Sequence, residues 1–342
     1  MAYQYILFDR KEGIGTVTLN RPTQLNAFIP QMLDELTNVF KGMERDPEVR
    51  VIILTGAGKA FCGGEDFKSR AEAEVQLEPT TPPNPYSYNP NPVAPPSPLA
   101  SPSYSPLNPG PPPPMYSNPN GSPGSNPSPV YAPNPAPITP EPYAPTSSTG
   151  PISLPKTPPI TEQNLRSYNP LIRQIRRLEK PVIAAINGVA AGTGLGLALA
   201  CDIRYASEKA RFIEVSTRVG LMPSGGNGYF LPQYIGLSKA LELAFAGDEM
   251  SATEAERLGL ISKVVLGEGL MEETHTLATR LAKGPTRAMG LTKAMMYNSQ
   301  SLNLEQALEL ESQLLEETAR SADYKEGLKA FLEKRSPNFK GK

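Results

Sequence analysis

The sequence predicts an α/β protein, and three observations carry that prediction. Two short runs rich in β-branched and apolar residues, Val49 to Leu54 and Val182 to Ile186, have the length of buried strands. Each empties into a glycine-rich turn, GAGKAFCGGEDF after the first and NGVAAGTGLG after the second. Amphipathic helical segments lie between the strands, and the chain from Ser238 onward reads as mostly helical.

The elements follow in order. Tyr3 to Phe8 and Ile14 to Asn20 are β-rich runs flanking a polar turn at Lys11 to Gly13, the pattern of a hairpin. Asn26 is placed to cap a helix over Ala27 to Met43, in which Met32, Leu33, Leu36, Val39 and Phe40 recur at helical spacing. The first buried strand then gives way to a glycine-rich loop, Thr55 to Gly64. Glu162 to Leu178 reads as an amphipathic helix that stops before Pro181. The second buried strand is followed by a turn over Asn187 to Gly196 and a small-residue helix to about Cys201. Val182 to Cys201 is a run of 20 residues without a charge, which a hydropathy scan would score as membrane-spanning. Asn187 and four glycines divide it, so it is read as strand, turn and buried helix. No repeat of fixed period is visible.

Of the 39 prolines, 30 lie between Pro79 and Pro159, a stretch whose only charged residues are Glu141 and Lys156. Such a segment has too little apolar surface to offset the entropy of ordering its backbone, so it is predicted to be disordered or polyproline II. The rest of the chain has the composition of one ordinary globular domain, interrupted. A net charge of -1 provides no basic face for nucleic acid or anionic membrane, and neither is expected as a partner. Two cysteines make no disulfide framework, and MAYQYILFDRKEG lacks the apolar core of a signal peptide. A cytoplasmic protein is the default expectation.

The glycine-rich turns carry the chemistry. A strand entering a helix through glycines leaves the first backbone N–H groups of the helix without intrahelical acceptors, with the positive end of the helix dipole behind them. Two such turns facing each other would supply convergent donors for a developing oxyanion. Other chemistries fit poorly. GAGKAF lacks the P-loop spacing, and GTGLG misses the dinucleotide-binding GxGxxG. The lone histidine, His275, lies in the charged run MEETHTLATR and reads as a surface helix position. Cys62 reads as a small buried side chain, and no metal site of recognisable spacing is present.

Four segments together carry a family resemblance: LNRPTQLNA at 19–27, LTGAGKAFCGGEDF at 54–67, KPVIAAINGVAAGTGLGLALACDIRYASEKARF at 180–212 and VGLMPSGG at 219–226. They resemble the crotonase (enoyl-CoA hydratase/isomerase) superfamily across essentially everything outside the proline-rich stretch. The C-terminal run RSADYKEGLKAFLEKRSPNFKGK is most similar to the epoxyphenylacetyl-CoA isomerase branch. The resemblance implies a spiral of ββα turns with a C-terminal helical region that trimerises, often as a dimer of trimers. Residues 1–70 would be the N-terminal part of that core, 71–160 the insert, 161–265 the remainder and 266–342 the helical region.

The implied substrate is an acyl-CoA thioester, with coenzyme A arriving as part of the substrate and no separate cofactor. The oxyanion donors carry over to the backbone N–H groups of Glu65 and Thr193, Thr193 standing where the family usually has glycine. Leu25, Ala27, Lys59 and Ala60 match positions that line the coenzyme A site. Phe331 and Lys334 match C-terminal positions that reach a neighbouring subunit's nucleotide, and Asp66 matches an aspartate that is usually structural.

The chain departs from the pattern at the acid/base carboxylates. The two hydratase glutamates map to Gly196 and Ser216, and the epoxide isomerase's aspartate maps to Ser224. A neutral hydroxyl does not accept a proton at pH 7 as a carboxylate does, so Ser224 is assigned at most a water or substrate contact. Two nearby carboxylates are the candidate bases. Strand alternation would put Glu214 on the same face as Ser216, toward the acyl chain, and the Glu65 side chain could project into the pocket. The reaction expected is double-bond isomerisation or hydration through an enolate. Thioester hydrolysis by a positioned water stays open, as does a non-catalytic acyl-CoA-binding scaffold. The insert joins the segment that commonly covers the acyl pocket in the family, and its six tyrosines among prolines would suit a proline-recognition partner.

Overall fold

The computed structural model describes residues 3–68 and 164–342. The proline-rich insert at 71–160, with its predicted disorder and its boundaries, lies outside the described residues.

Strand β1 (Ile6–Lys11) and strand β2 (Ile14–Leu19) form the expected hairpin, antiparallel and closed by the pair Lys11↔Ile14. Its two turn residues, Glu12 and Gly13, both have positive φ, the geometry whose twist matches the flanking strands. Helix α1 (Pro30–Arg45) buries Met32, Leu33, Leu36, Val39, Phe40 and Met43, so the predicted stripe is correct. The helix starts at Pro30, however, and not at Ala27. Proline's fixed φ suits a first helical position, and Asn26 does not cap the helix, because its side chain is engaged elsewhere.

Strand β3 (Val51–Gly56) lies parallel to β2 and to strand β5 (Val182–Ile186), with Ile52 opposite Val182. Strand β7 (Ile203–Ser207) and strand β10 (Lys263–Val265) complete a six-stranded sheet in the order β1-β2-β3-β5-β7-β10. A second sheet runs β4 (Ala60–Cys62), β6 (Val189–Ala191), β8 (Arg211–Ile213) and β9 (Glu249–Ser251), parallel except for the last pair. The pairs β3/β4, β5/β6 and β7/β8 each lay one strand in each sheet before the chain moves on. That stepwise climb is the ββα spiral anticipated above. Helix α2 (Asn169–Arg177) is preceded by a π-helical turn at Asn164–Tyr168, and helix α3 (Thr193–Ala200) follows β6.

The large sheet is covered on both faces, which is why its inner strands read as unbroken apolar runs. Ile52, Leu54, Val182 and Ala184 pack with α1, α2 and α3. Val51, Ile53, Ile183 and Ala185 alternate to the opposite face and meet Leu277, Ala278 and Ala282 of helix α7 (Leu270–Ala282). Helices α4 (Asn227–Ile235), α5 (Leu237–Ala246) and α6 (Ala252–Arg257) precede α7. Helices α8 (Thr286–Ser299), α9 (Leu304–Ala319) and α10 (Ala322–Leu332) complete the C-terminal helical region. Among the described residues, no helix is long and apolar enough to cross a membrane. The uncharged run from Val182 divides into β5, β6 and α3, with His275 exposed on α7.

Candidate active site

Asn26 organises the first part of the site. It is fully buried with positive φ, a conformation asparagine tolerates better than most residues. Its Nδ2 donates to the carbonyls of Ala57 (2.9 Å) and Ala60 (2.8 Å), and its Oδ1 accepts from the Arg21 backbone N–H (2.9 Å). The loop carrying Leu25 and Ala27 is thereby tied to the loop carrying Lys59 and Ala60. The structure thus brings these four residues into adjoining loops, with Leu25 and Lys59 exposed and Ala27 and Ala60 buried. Arg21 continues the tie, donating to the Ala27 carbonyl and pairing with Asp66 at 3.0 Å. Asp66 therefore helps hold the loop in place.

The two glycine-rich turns converge. Gly64, at φ +92°, approaches the second turn so closely that an added Cβ would lie 2.7 Å from the Ala191 carbonyl and 3.5 Å from the Thr193 nitrogen. Glu65 follows Gly64 and bridges to Phe28. Thr193 opens α3, whose first intrahelical bond runs from the Gly196 N–H to the Gly192 carbonyl (3.1 Å). The Thr193 N–H thus belongs to the helix's first turn, where no intrahelical acceptor exists. Its hydroxyl is buried with no hydrogen-bond partner, and its side chain packs against Gly225. Beneath the first turn, Cys62 is fully buried and its thiol is pushed up to about 12 by desolvation, so it offers no thiolate.

A cavity of about 120 Å³ lies where the turns meet, and Glu65, Thr193, Ser216 and Ser224 all line it, with Phe67 and Met222 supplying apolar wall. Glu214 does not line it. The predicted strand alternation fails here because β8 ends at Ile213 and Val215 turns into a short 3-10 helix at Ser216–Val219. Glu214 points inward, 0% exposed, and Ser216 meets it across the turn. The Ser216 hydroxyl donates to Glu214 Oε1 at 2.5 Å, and the Ser216 N–H donates to the same oxygen at 3.1 Å. The other carboxylate oxygen accepts from Asn227 Nδ2, which also donates to the Gly192 carbonyl (2.7 Å). Burial raises the pKa of Glu214, opposed by these hydrogen bonds from Ser216 and Asn227.

Asn227 was not legible in the sequence. Its only signal is a polar residue directly after two glycines, and ordinary rules read that as turn or cap. Gly196, at the position of a missing glutamate, is equally determined by packing: a Cβ there would lie 2.2 Å from the Gly225 carbonyl and 3.2 Å from Asn227 Oδ1. Phe331, 81% exposed, and Lys334 lie at the end of α10 and line no part of this cavity. Among the described residues no cluster of three or more His, Cys, Asp or Glu side chains could hold a metal ion.

The chain is similar to known proteins over nearly its full length. It is 33% identical over 339 residues to 1,2-epoxyphenylacetyl-CoA isomerase of Escherichia coli, covering 99% of each chain. It is 28% identical to the mitochondrial enoyl-CoA hydratase of Pongo abelii, covering 99% of this chain and 88% of the relative. Among solved structures, the enoyl-CoA hydratase of Bacillus anthracis superposes with a TM-score of 0.70 at 28% identity, covering 99% of this chain and 100% of that one. The enoyl-CoA hydratase of Mycobacterium smegmatis gives 0.69 at 25% identity, covering 98% and 99%. The family model for enoyl-CoA hydratase/isomerase matches residues 9–87 and 159–342, and this chain belongs to that family.

Proposed function

We propose that the chain acts on an acyl-CoA thioester, with the thioester oxygen held between the N–H groups of Glu65 and Thr193. The observation that carries this reading is the convergence of the two glycine-rich turns on one cavity, with Gly64 against the Thr193 nitrogen. Two donors aimed at one oxygen in a partly desolvated pocket stabilise negative charge more than they stabilise a neutral carbonyl, so they favour the enolate over the ground state. A proton leaving the α or γ carbon then gives double-bond isomerisation, and water adding at the β carbon gives hydration. Glu214 is the carboxylate assigned as base, and Ser224, on the cavity wall, contacts water or the acyl group. Leu25, Ala27, Lys59 and Ala60, held by Asn26, form the edge that receives the coenzyme A portion.

A homotrimer or dimer of trimers is part of the same reading. It is supported by the exposed apolar side chains of α9 and α10, among them Leu304, Leu315, Phe331 and Leu332, in the helical region where Phe331 and Lys334 would reach a neighbour's nucleotide. The test is mass spectrometry of linear enoyl, ring-containing and saturated acyl-CoA thioesters incubated with the protein in deuterated water. Deuterium uptake with no other mass change is the expected signature of enolisation, and an added water that of hydration. Release of free coenzyme A alone would replace this reading with thioester hydrolysis, and no change in any bound thioester would replace it with a binding role.

A further inference from the structure

We propose that Ser216 is the group that exchanges protons with the substrate, relaying them to and from Glu214 behind it, while Asn227 fixes that pair relative to the oxyanion donors. The inference rests on the enolate reading above. It begins from a contradiction in the site. The carboxylate assigned as base is 0% exposed and does not line the cavity, so no substrate carbon can approach it directly. Ser216 does line the cavity, and its hydroxyl is already committed as donor to Glu214 at 2.5 Å, the length of a charge-assisted O–H···O bond. A hydroxyl has one proton and two lone pairs. With the proton held by Glu214, the lone pairs are what Ser216 can present to the cavity.

The step balances without a co-reactant. The substrate C–H bond breaks and its proton forms a new O–H bond on Ser216 Oγ, while the original Ser216 proton passes to Glu214 Oε1. The C–H electron pair becomes the enolate double bond, and the carbonyl π pair moves onto the oxygen held by the Glu65 and Thr193 N–H groups. Reversal at a different carbon returns both protons and completes an isomerisation. Neutral serine is too weak a base to act alone, so both transfers belong to one event, driven by the carboxylate. Desolvation favours that event, because it makes Glu214 a stronger proton acceptor than an ordinary exposed carboxylate.

Asn227 has a positioning role. Its Nδ2 bonds both the second oxygen of Glu214 and the carbonyl of Gly192, the residue immediately before Thr193. One amide thus sets the distance between the proton acceptor and an oxyanion donor. Asn227 also lies against Gly196, so the side chain that organises this arrangement stands beside the place where the family's missing glutamate would project.

The experiment measures loss of deuterium from an α-deuterated thioester, on the full chain, using whichever thioester of the panel exchanges. In the wild type, a relay gives both a substrate and a solvent isotope effect on the same step, each persisting when the other is present. Direct abstraction by a carboxylate gives the substrate effect alone and would overturn the proposal. Ser216→Ala is expected to slow exchange by about 10²–10⁴-fold with unchanged affinity for an unreactive thioether analogue, and Ser216→Thr, which keeps a hydroxyl, to recover part of the loss. Glu214→Gln should match Ser216→Ala, and the double variant should be no slower than either single one, since the two act as a unit. Near-wild-type exchange in Ser216→Ala, or a loss seen only in Glu65→Gln, would overturn the relay. So would an acyl group trapped covalently on Ser216, which would make the serine a nucleophile. If Ser216→Ala fails to fold, the wild-type isotope effects and Ser216→Thr still decide. Absence of exchange in the wild type with every thioester would overturn the enolate reading itself, a result distinct from failure of the relay alone.

Discussion

Asn26→Ala should be among the most damaging single substitutions outside the apolar core. The wild-type side chain makes three good hydrogen bonds, to the Ala57 and Ala60 carbonyls and from the Arg21 N–H, in a fully buried position. Each is worth about 1 kcal/mol net, and alanine would leave buried partners without replacements, although Asn187 still donates to Ala60 at 3.2 Å. Positive φ at this position adds about 1 kcal/mol against alanine. The expected loss is therefore about 4 kcal/mol. Read as urea unfolding at one fixed protein concentration, this is a fall in midpoint of about 1.5 M for a slope near ~2.5 kcal/mol/M. Thioester affinity should fall as well, because the two loops assigned to coenzyme A are no longer tied. A midpoint within about 0.3 M of wild type would refute the reasoning, since it would mean that the loops hold each other without this amide.

Three further outcomes follow from the same geometry. Gly196→Ala should destabilise by roughly 3 kcal/mol or prevent folding, because the Gly225 carbonyl is backbone and cannot move aside; a soluble variant with wild-type melting would show that the turn yields. Burial raises the Glu214 pKa above its ordinary 4.5, so its stabilising contribution is complete below that value and is lost as pH rises through the raised one. Glu214→Gln should remove this fall from the curve of urea midpoint against pH, and an unchanged curve would refute the assignment. Cys62 and Cys201, both fully buried with thiols pushed up to about 12, should resist a thiol reagent at pH 8 until the protein is unfolded, and labelling of the native protein within minutes would contradict their burial.

What the sequence disclosed depended on whether a residue's role was local. The apolar runs of β3 and β5 identified themselves because a strand covered on both faces has no polar alternation to confuse it. The stripe of α1 was equally legible, since Met32, Leu36 and Phe40 record their burial by spacing. Strands β4 and β6 were not, being three residues each and lying within glycine-rich sequence that reads as turn. Asn26 misled for a related reason: capping preference describes a short-range bond to the helix that follows, whereas its Nδ2 donates to carbonyls more than thirty residues away and its Oδ1 accepts from Arg21, before it in the chain. In the site, the glycines of the two converging turns showed through the motif. The Glu214–Ser216–Asn227 arrangement did not, because it depends on where one strand stops and on a side chain thirteen positions downstream.

The pairing of β3 with β5 also sets a timetable. Gly56 and Val182 are separated by about 125 residues, of which the proline-rich stretch supplies some 80. Treated as a flexible chain, lengthening the closure from about 45 to about 125 residues costs only about 0.9 kcal/mol, a small term for a finished domain. Time is the larger burden. At about 5–20 residues per second, a ribosome would take roughly 6–25 s between completing β3 and delivering β5. For that interval the hairpin, α1 and β3 would wait as half a sheet with an open apolar edge, the kind of surface that pairs with other chains. A family member carrying such a stretch at this point in its chain should therefore depend on chaperones during synthesis more than on any extra stability once folded.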